Sequence, residues 1–150
     1  MKIARFTALL VAALAVLVAA PLAVSAALTG GASYAGKTDD GRSVSLRLTS
    51  DAKRVKKMRI RYEVTCDDGR SGTTYTNILN PKIRSDRTFR GSGTYKGSSD
   101  DSENTFHVAG TISKRKASGT FSLTATSDAG DGTTLRCKTG KLTWSAKRKR

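Results

Sequence analysis

Along most of the chain after residue 40, hydrophobic and polar side chains alternate with a period of two. The clearest segment runs from Lys57 to Cys66, where apolar side chains at even positions alternate with charged or polar side chains at odd positions. Successive side chains of a β-strand point to opposite faces of a sheet, so the pattern predicts a strand with one buried face. A similar strand is predicted at Val44 to Leu48, before a turn at 51–54.

Further strands are predicted at 73–79, 105–112, 119–125, 134–137 and 141–146, with a small hairpin at 83–89. Gly, Asn, Asp and Pro residues separate them. The Gly- and Ser-rich run 91–103 is predicted to be a polar loop that contains Tyr95. No segment of the mature chain has the period of a helix. The sequence therefore predicts an all-β fold, a single antiparallel β-sandwich or barrel of about seven to nine short strands.

The N-terminal residues follow a different pattern. Lys2 and Arg5 precede an uncharged, apolar run at 6–20, which ends at Pro21. Small residues at 24–27 then complete the pattern of a secretory signal peptide.

Cleavage is expected after Ala26 or Ala27. A retained membrane anchor is the alternative, because an apolar stretch of this length could just span a bilayer. We therefore predict a signal peptide over 1–26, a β-domain over 27–146 and a basic tail over 147–150, in a protein that is secreted or held in the envelope.

Two cysteines, Cys66 and Cys137, lie in the predicted β-domain. In an oxidising compartment an even cysteine count predicts disulfides, and two cysteines allow one pairing. In the chain-entropy model, a bridge closing a loop of about 70 residues stabilises the fold by roughly 4 kcal/mol. The competing zinc site would need more ligands than these cysteines and His107 supply. We expect no metal and no cofactor.

The chain carries 27 Lys and Arg residues against 12 Asp and Glu residues, a net charge of +15. Removing Lys2 and Arg5, with no acidic residue lost, lowers it to +13. This excess favours anionic partners such as a surface polymer or an acidic polysaccharide, and a simple gain in solubility is the alternative. Nucleic acid is disfavoured for an exported protein whose aromatic side chains, Tyr34, Tyr75 and Tyr95 excepted, are expected in the core. Membrane contact is expected only through the signal peptide or surface charge.

Three basic clusters are candidate anion-binding sites. On the polar face of the predicted strand 57–66, alternate positions place cations about 6.6 Å apart along the strand. A hairpin tip and the C-terminal tail supply the others. Together the candidates are Lys57, Arg59 and Arg61 on the strand, Lys114, Arg115 and Lys116 at the tip, and Lys147, Arg148, Lys149 and Arg150 in the tail. An ordinary solvated strand face is the alternative to the first cluster.

Catalytic residues are not evident. His107 is the one histidine and is predicted to point outward, and no nucleophile motif accompanies it. Most aspartates fall in predicted turns. We therefore expect a non-enzymatic domain of unknown oligomeric state. The alternatives are a protein-interaction module, of inhibitor or adhesion type, that binds through the loop Gly91 to Asn104, and more remotely a hydrolase.

Six short motifs follow one another along the chain. In order they are Tyr34-x-Gly-x-Thr, Cys66-Asp-Asp-Gly, Val108-Ala-Gly-Thr, Gly119-Thr-Phe, Cys137-Lys-Thr-Gly and Trp144-Ser-Ala. This pattern resembles small secreted bacterial β-domains of uncharacterised function. The resemblance covers most of the mature chain and implies an exported all-β fold with a Cys66–Cys137 bridge. Its residues are scaffold residues, so it implies no active site.

Overall fold

The computed structural model describes residues 27–97 and 102–150, so the predicted signal peptide lies outside the described residues. The described residues form nine strands and no helix. No segment of these two ranges forms a helix able to cross a membrane. The strands are β1 (Ser33–Thr38), β2 (Ser43–Leu48), β3 (Val55–Cys66), β4 (Ser71–Leu79), β5 (Thr88–Lys96), β6 (Glu103–Ile112), β7 (Lys116–Asp128), β8 (Thr134–Lys138) and β9 (Leu142–Arg148).

All strand pairs are antiparallel. Strands β3, β2, β1, β9, β7 and β8 form a closed circuit of six strands, each paired with the next. β4 is added to β3, and β6 followed by β5 is added to β7. The all-β prediction is therefore confirmed, and the architecture is a barrel with additional strands.

β8 closes the circuit at one end only. On β3, residues 57–65 pair with β4. Residues 55–60 pair with β2, and residues 65–66 pair with β8. A strand has two edges, so β2 and β8 share the edge that β4 leaves open. β7 divides one edge between β9 and β8 in the same way. As a result, three strands separate β3 from β7 at one end of the barrel, and β8 alone separates them at the other, here called the β8 end.

The core lies inside this barrel and follows the alternation in the sequence. Val44, Leu46 and Leu48 of β2 are buried, and the residues between them are exposed. Tyr62 packs on Phe121 with ring centroids 5.0 Å apart. The core thus joins β2, β3 and β7 across the barrel interior.

Tyr34 differs from the expectation that it is an exposed aromatic. It is only 1% exposed, and its hydroxyl donates a hydrogen bond to the Ser113 carbonyl at 2.9 Å. Tyr75 and Tyr95, in contrast, are 46% and 39% exposed, as expected.

The disulfide Cys66–Cys137 is formed, as the sequence predicts. It joins directly opposed residues of β3 and β8. This ladder contains two residue pairs, against five or six at every other step of the circuit. The disulfide therefore reinforces the strand pair with the fewest backbone partners in the circuit, the seam between β3 and β8. A disulfide is also compatible with an extracytoplasmic location.

Three segments differ from the sequence predictions. β1 was not predicted, because Ala35 and Gly36 interrupt the alternation. The predicted loop 91–103 is mostly strand, since β5 continues to Lys96 and β6 begins at Glu103. Its glycines make room for side chains, as a Cβ at Gly93 would lie 2.9 Å from Phe106 Cε1.

The third difference is at the C-terminus, where β9 continues through Arg148 instead of ending at Ala146. Lys147 pairs with Ala35 of β1 and Lys116 of β7, and Arg148 pairs with Tyr34. Lys147 is therefore paired on both edges and Arg148 on the edge towards β1, so both residues belong to the barrel wall. The basic tail is accordingly shorter than the predicted 147–150.

Candidate functional site

The outer surface of the barrel carries a continuous row of residues across five strands. In this row Lys116 of β7 is paired with Lys147 of β9, Lys147 with Ala35, Ala35 with Ser45, and Ser45 with Arg59 of β3. Neighbouring strands lie about 4.8 Å apart, so Lys147 and Arg59 are about 14 Å apart along the barrel wall. Cations therefore lie at both ends of the row, and small side chains occupy its middle.

A second row runs beside the first, towards the β6–β7 turn. Lys57 is paired with Arg47, and Arg47 with Ser33. The backbone N–H of Lys149 donates to the Ser33 carbonyl at 2.8 Å, which places Lys149 next to this row. The rows are two residues, or about 6.6 Å, apart along the strands.

A bulge in β3 adds one more cation. The pairing between β2 and β3 shifts between Arg47 and Leu48, which are opposed to Lys57 and Val55, so Lys56 has no partner in the ladder. Two residues of a bulged strand then oppose one on its neighbour, and the simple alternation fails. Lys56 and Lys57 are consequently both exposed.

We call these seven cations the basic face: Arg47, Lys56, Lys57, Arg59, Lys116, Lys147 and Lys149. Five of them, Arg47, Lys56, Lys57, Arg59 and Lys149, line one shallow groove of about 440 Å³. Within the described part of the chain, none of the seven forms an ion pair. Their charge is therefore not neutralised locally, and the groove is a region of positive potential.

Tyr34 supports the groove from below, where it joins the lining residues. Burial raises the pKa of its hydroxyl, and the charge of Arg148 offsets part of that rise. Because this hydroxyl holds the Ser113 carbonyl, it fixes the turn that precedes Lys116.

The tip and the C-terminal residues meet directly. The Arg148 N–H donates to the Arg115 carbonyl at 2.8 Å, next to the Lys116–Lys147 pair. Lys114 and Arg115 are exposed at the rim of the basic face. Two of the three predicted clusters are thus one continuous surface.

The remaining predicted residues are less central. Arg61 is paired with Tyr75, on the side of Arg59 away from the groove. Arg148 turns to the end of the barrel, where its Nη1 donates to Thr29 Oγ1 at 3.0 Å. Arg150 is exposed beyond β9.

Acidic residues lie around the basic face, but none is among the described residues that line its groove. Glu63 lies beyond Arg61 on β3 and forms an ion pair with Arg42 at 2.7 Å. Asp39 accepts hydrogen bonds from the backbone and the hydroxyl of Thr143, and these bonds lower its pKa. At the other end of β2, the Asp51 carboxylate accepts hydrogen bonds from the Thr49 hydroxyl and the Lys53 N–H. These carboxylates are engaged in local contacts outside the groove.

Two basic residues of the face were missed by the sequence interpretation. Arg47 stands on the polar side of a predicted strand, and pairing that strand with the next would have brought it beside Lys57. Lys56 could not be found by alternation, since a bulge breaks the period.

His107 lies on the outer face of the barrel, as predicted. Its cross-strand neighbours are Ser92 of β5 and Ser122 of β7. No acidic residue occupies a position directly opposite His107 on either strand, so these positions do not assemble a Ser-His-acid triad. Among the described residues, no group of three or more His, Cys, Asp or Glu side chains is placed to hold a metal ion.

Comparison with protein-family models and with curated proteins gives no match to this chain.

Proposed function

We propose that the mature chain is an exported, non-enzymatic domain that binds an anionic polymer of the cell surface or extracellular space, such as an acidic polysaccharide. The observation that carries this proposal is the cross-strand row from Lys116 through Lys147 to Arg59. This row brings together basic residues that are far apart in the sequence. They form one positive surface, and none of its seven cations makes an ion pair within the described part of the chain.

The small residues in the middle of the row also favour a polymer. The side chains of Ala35 and Ser45 are small and protrude little from the barrel surface between Lys147 and Arg59. An extended polymer chain can therefore lie across β1 and β2. Arginine can hold sulfate, phosphate or carboxylate groups with two hydrogen bonds, and lysine supplies a mobile point charge. Such contacts act over several anionic groups at once, which is how a repeating polymer gains affinity.

The predicted signal peptide and the disulfide favour a compartment outside the cytoplasm. Nucleic acid is the less favoured polyanion there. Tyr75, one of two exposed tyrosines, already has the Arg59 guanidinium 3.8 Å from its ring centroid, which occupies a stacking surface. Membrane contact is proposed only through the signal peptide or through surface charge.

The alternatives have weaker support. A protein-interaction module was expected to use a long polar loop, and most of that segment belongs to the paired strands β5 and β6. A hydrolase would need acids near His107. Neither alternative explains why the cations of the basic face are gathered without acidic partners.

The test is retention of the mature protein on dextran sulfate and on phosphocellulose columns, eluted with salt. Replacing Lys57, Arg59 and Arg61 together by Ser removes three exposed charge contacts, worth a few tenths of a kcal/mol to about 1 kcal/mol each, so affinity should fall about tenfold. Elution should also occur at lower salt, and unchanged retention would disprove the role of the β3 cations.

A matched control removes three charges elsewhere. Lys82, Arg84 and Arg90 are exposed cations outside the basic face. Their replacement by Ser should leave elution much closer to that of the wild type. Equal losses in the two triple variants would mean that net charge alone governs retention, and the proposed site would be wrong.

A further inference from the structure

A second concave site lies at the β8 end of the barrel, where the outermost strands β4 and β5 face each other without pairing. The two strands touch near the opposite end, since a Cβ at Gly91 would lie 3.5 Å from Ile78 Cγ2. Towards the β8 end they diverge and open a cleft of about 630 Å³. We call it the tyrosine cleft. Its volume falls in the range of sites for small ligands, roughly 300 to 1,000 Å³.

The lining of the tyrosine cleft is polar but almost uncharged. Residues of hydroxyl or amide type line it on β3 to β7 and just before β6: Tyr62, Thr74, Tyr75, Thr76, Asn77, Tyr95, Ser102, Asn104, Thr126 and Ser127. Among the described lining residues, Lys96 has the one charged side chain. The cleft therefore offers neutral donors and acceptors, in contrast to the basic face.

The floor of the cleft is apolar. Val64 of β3, Leu123 and Ala125 of β7, and Cys137 in the disulfide form it. A ligand that fits must present hydrogen-bonding groups on its edge and carbon atoms on a face. A pyranose ring has this distribution, with hydroxyls around its edge and C–H groups on its faces.

A chain of three hydroxyls leads from the core into the cleft. The Tyr62 hydroxyl lies 2.7 Å from Thr76 Oγ1, which in turn lies 2.9 Å from the Tyr95 hydroxyl. Tyr62 and Thr76 are only 1% and 4% exposed. The Tyr62 and Tyr95 hydroxyls also interact with each other, so the three hydroxyls form one compact network.

Tyr95 is the member of this network that reaches the cleft, since it is 39% exposed and Tyr62 and Thr76 are buried. Tyr95 is held by its ring, which packs on Phe106 with centroids 6.3 Å apart. The site thus presents a partly exposed hydroxyl on an aromatic side chain that is held by its ring contact.

We propose that the tyrosine cleft binds a neutral sugar unit, as part of a short oligosaccharide, with the Tyr95 hydroxyl and the Asn104 amide as its principal hydrogen-bonding groups. This inference goes beyond the anionic-polymer function and does not rest on it, because the cleft shares none of the seven cations of the basic face.

An extended peptide is the competing occupant. The Cys66 N–H donates to the Arg70 carbonyl, so the pairing pattern turns the backbone groups of Tyr75 and Asn77 towards the cleft. A strand paired there would have to pass between β4 and β5 at Thr76, where the Tyr95 hydroxyl is already in contact. The remaining free edge is short, which favours a compact ligand over a strand.

The test is a titration of the mature protein, followed by backbone amide NMR shifts, with maltotriose, cellotriose and chitotriose as separate probes. Concentrations up to about 10 mM detect dissociation constants in the millimolar range. We expect at least one trisaccharide to shift amides of β5, β6 and β7 around the cleft and to leave those of β1 and β2 in place. Absence of shifts with all three sugars would overturn the proposal.

Two variants and one control identify the contacts. Tyr95→Phe removes one hydroxyl and retains the ring on Phe106, and Asn104→Ala removes one amide. Each should weaken binding about fivefold, the effect of one lost hydrogen bond. Thr105→Ala is the control, since Thr105 follows Asn104 but contacts Thr94 outside the cleft, and its affinity should stay within about twofold.

Two further outcomes decide between the sites. Replacing Lys56, Lys57 and Lys147 of the basic face together by Ser should leave trisaccharide binding as in the wild type, so failure of the anionic-polymer function leaves this result standing. Arg59 is kept in this variant because its guanidinium packs on Tyr75, which lines the cleft. Binding that is equal in Tyr95→Phe, Asn104→Ala and the wild type would overturn the assignment. Binding of a neutral Thr-Val heptapeptide at the cleft, with no sugar binding, would assign it to an extended peptide instead.

Discussion

The basic face and the tyrosine cleft are built from the same sheet by opposite means. On the basic face, the charge is carried by outward side chains of β2, β3, β7 and β9 and by Lys149 just after β9, and the strands act as spacers of fixed width. In the cleft, residues of β3 to β7 supply neutral hydroxyls and amides above an apolar floor, to which β8 adds Cys137. The face depends on the register between strands, and the cleft depends on where strands fail to pair.

This difference has a consequence for stability. The face stands on ladders of five or six residue pairs. The tyrosine cleft lies over the junction of β3 and β8, where two residue pairs and the disulfide close the circuit of strands. We therefore expect the cleft to be the more easily disrupted of the two sites.

The largest expected effect follows from removing the disulfide. Replacing Cys66 and Cys137 by Ser should lower the free energy of unfolding by roughly 4 kcal/mol, since the bond closes a loop of 71 residues. Urea unfolding measures this loss. Hydrogen exchange should show protection lost first at β8 and the adjoining end of β3, with β1, β2 and β9 less affected. Equal loss of protection throughout would show that the two sites belong to one cooperative unit.

A smaller effect is expected from a charge placed in the middle of the basic face. Ser45 is paired with Arg59, so Ser45→Glu puts a carboxylate beside that guanidinium and in the path of the polymer. Binding to dextran sulfate should weaken about fivefold to tenfold, through one lost contact and added repulsion.

Ser92→Glu is the matched control for that variant. It makes the same change in net charge on the outer face of β5, opposite His107 and outside the basic face. Its binding to dextran sulfate should stay close to that of the wild type, and sugar binding in the cleft should be unaffected by either variant. A loss as large as that of Ser45→Glu would contradict the proposed path.

The smallest effect is that of tyrosine ionisation on the free energy of unfolding. It concerns the tyrosines beneath the two sites and is absent at neutral pH. Burial raises the pKa of Tyr34 under the basic face and of Tyr62 at the cleft. The folded state therefore prefers the neutral hydroxyls. Their contribution to stability is fully present below the unfolded tyrosine pKa of about 10 and is lost as pH rises through the folded values.

Urea unfolding between neutral pH and strongly alkaline pH measures this loss. Tyr62→Phe removes one of the two groups and should make the alkaline decline shallower, at a cost of about 1 kcal/mol at neutral pH for the lost hydrogen bond. A decline as steep as that of the wild type would show that Tyr62 ionisation does not limit alkaline stability.

The sequence predicted the strand class well where one face of a strand is buried. The alternation from Lys57 to Cys66 identified both the core side and the cation row of β3. The same reasoning missed β1, where Ala35 and Gly36 replace large apolar residues. It also read β5 as a loop, because Gly91 and Gly93 remove the side chains on which alternation depends.

The site depends on information that is not local. The sequence around Lys116 and Lys147 does not indicate that these two residues are neighbours. It also does not indicate that β1 and β2 extend their row to Arg59. Those relations follow from the register of β1, β2, β7 and β9. The tyrosine cleft was missed for a related reason, since it exists where β4 and β5 remain unpaired.

The pairing of the first strand with the last also constrains when the protein can fold. β1 begins at Ser33 and is held by β9, whose final residue is Arg148. In a chain that emerges with its N-terminus leading, the β2–β3–β4 meander can form early, but the second edge of β1 has no partner until β9 has emerged. Cys66 likewise waits for Cys137. Oxidation must therefore follow the emergence of β8, and barrel closure the emergence of β9. Before then, the open strand edges are most exposed to aggregation.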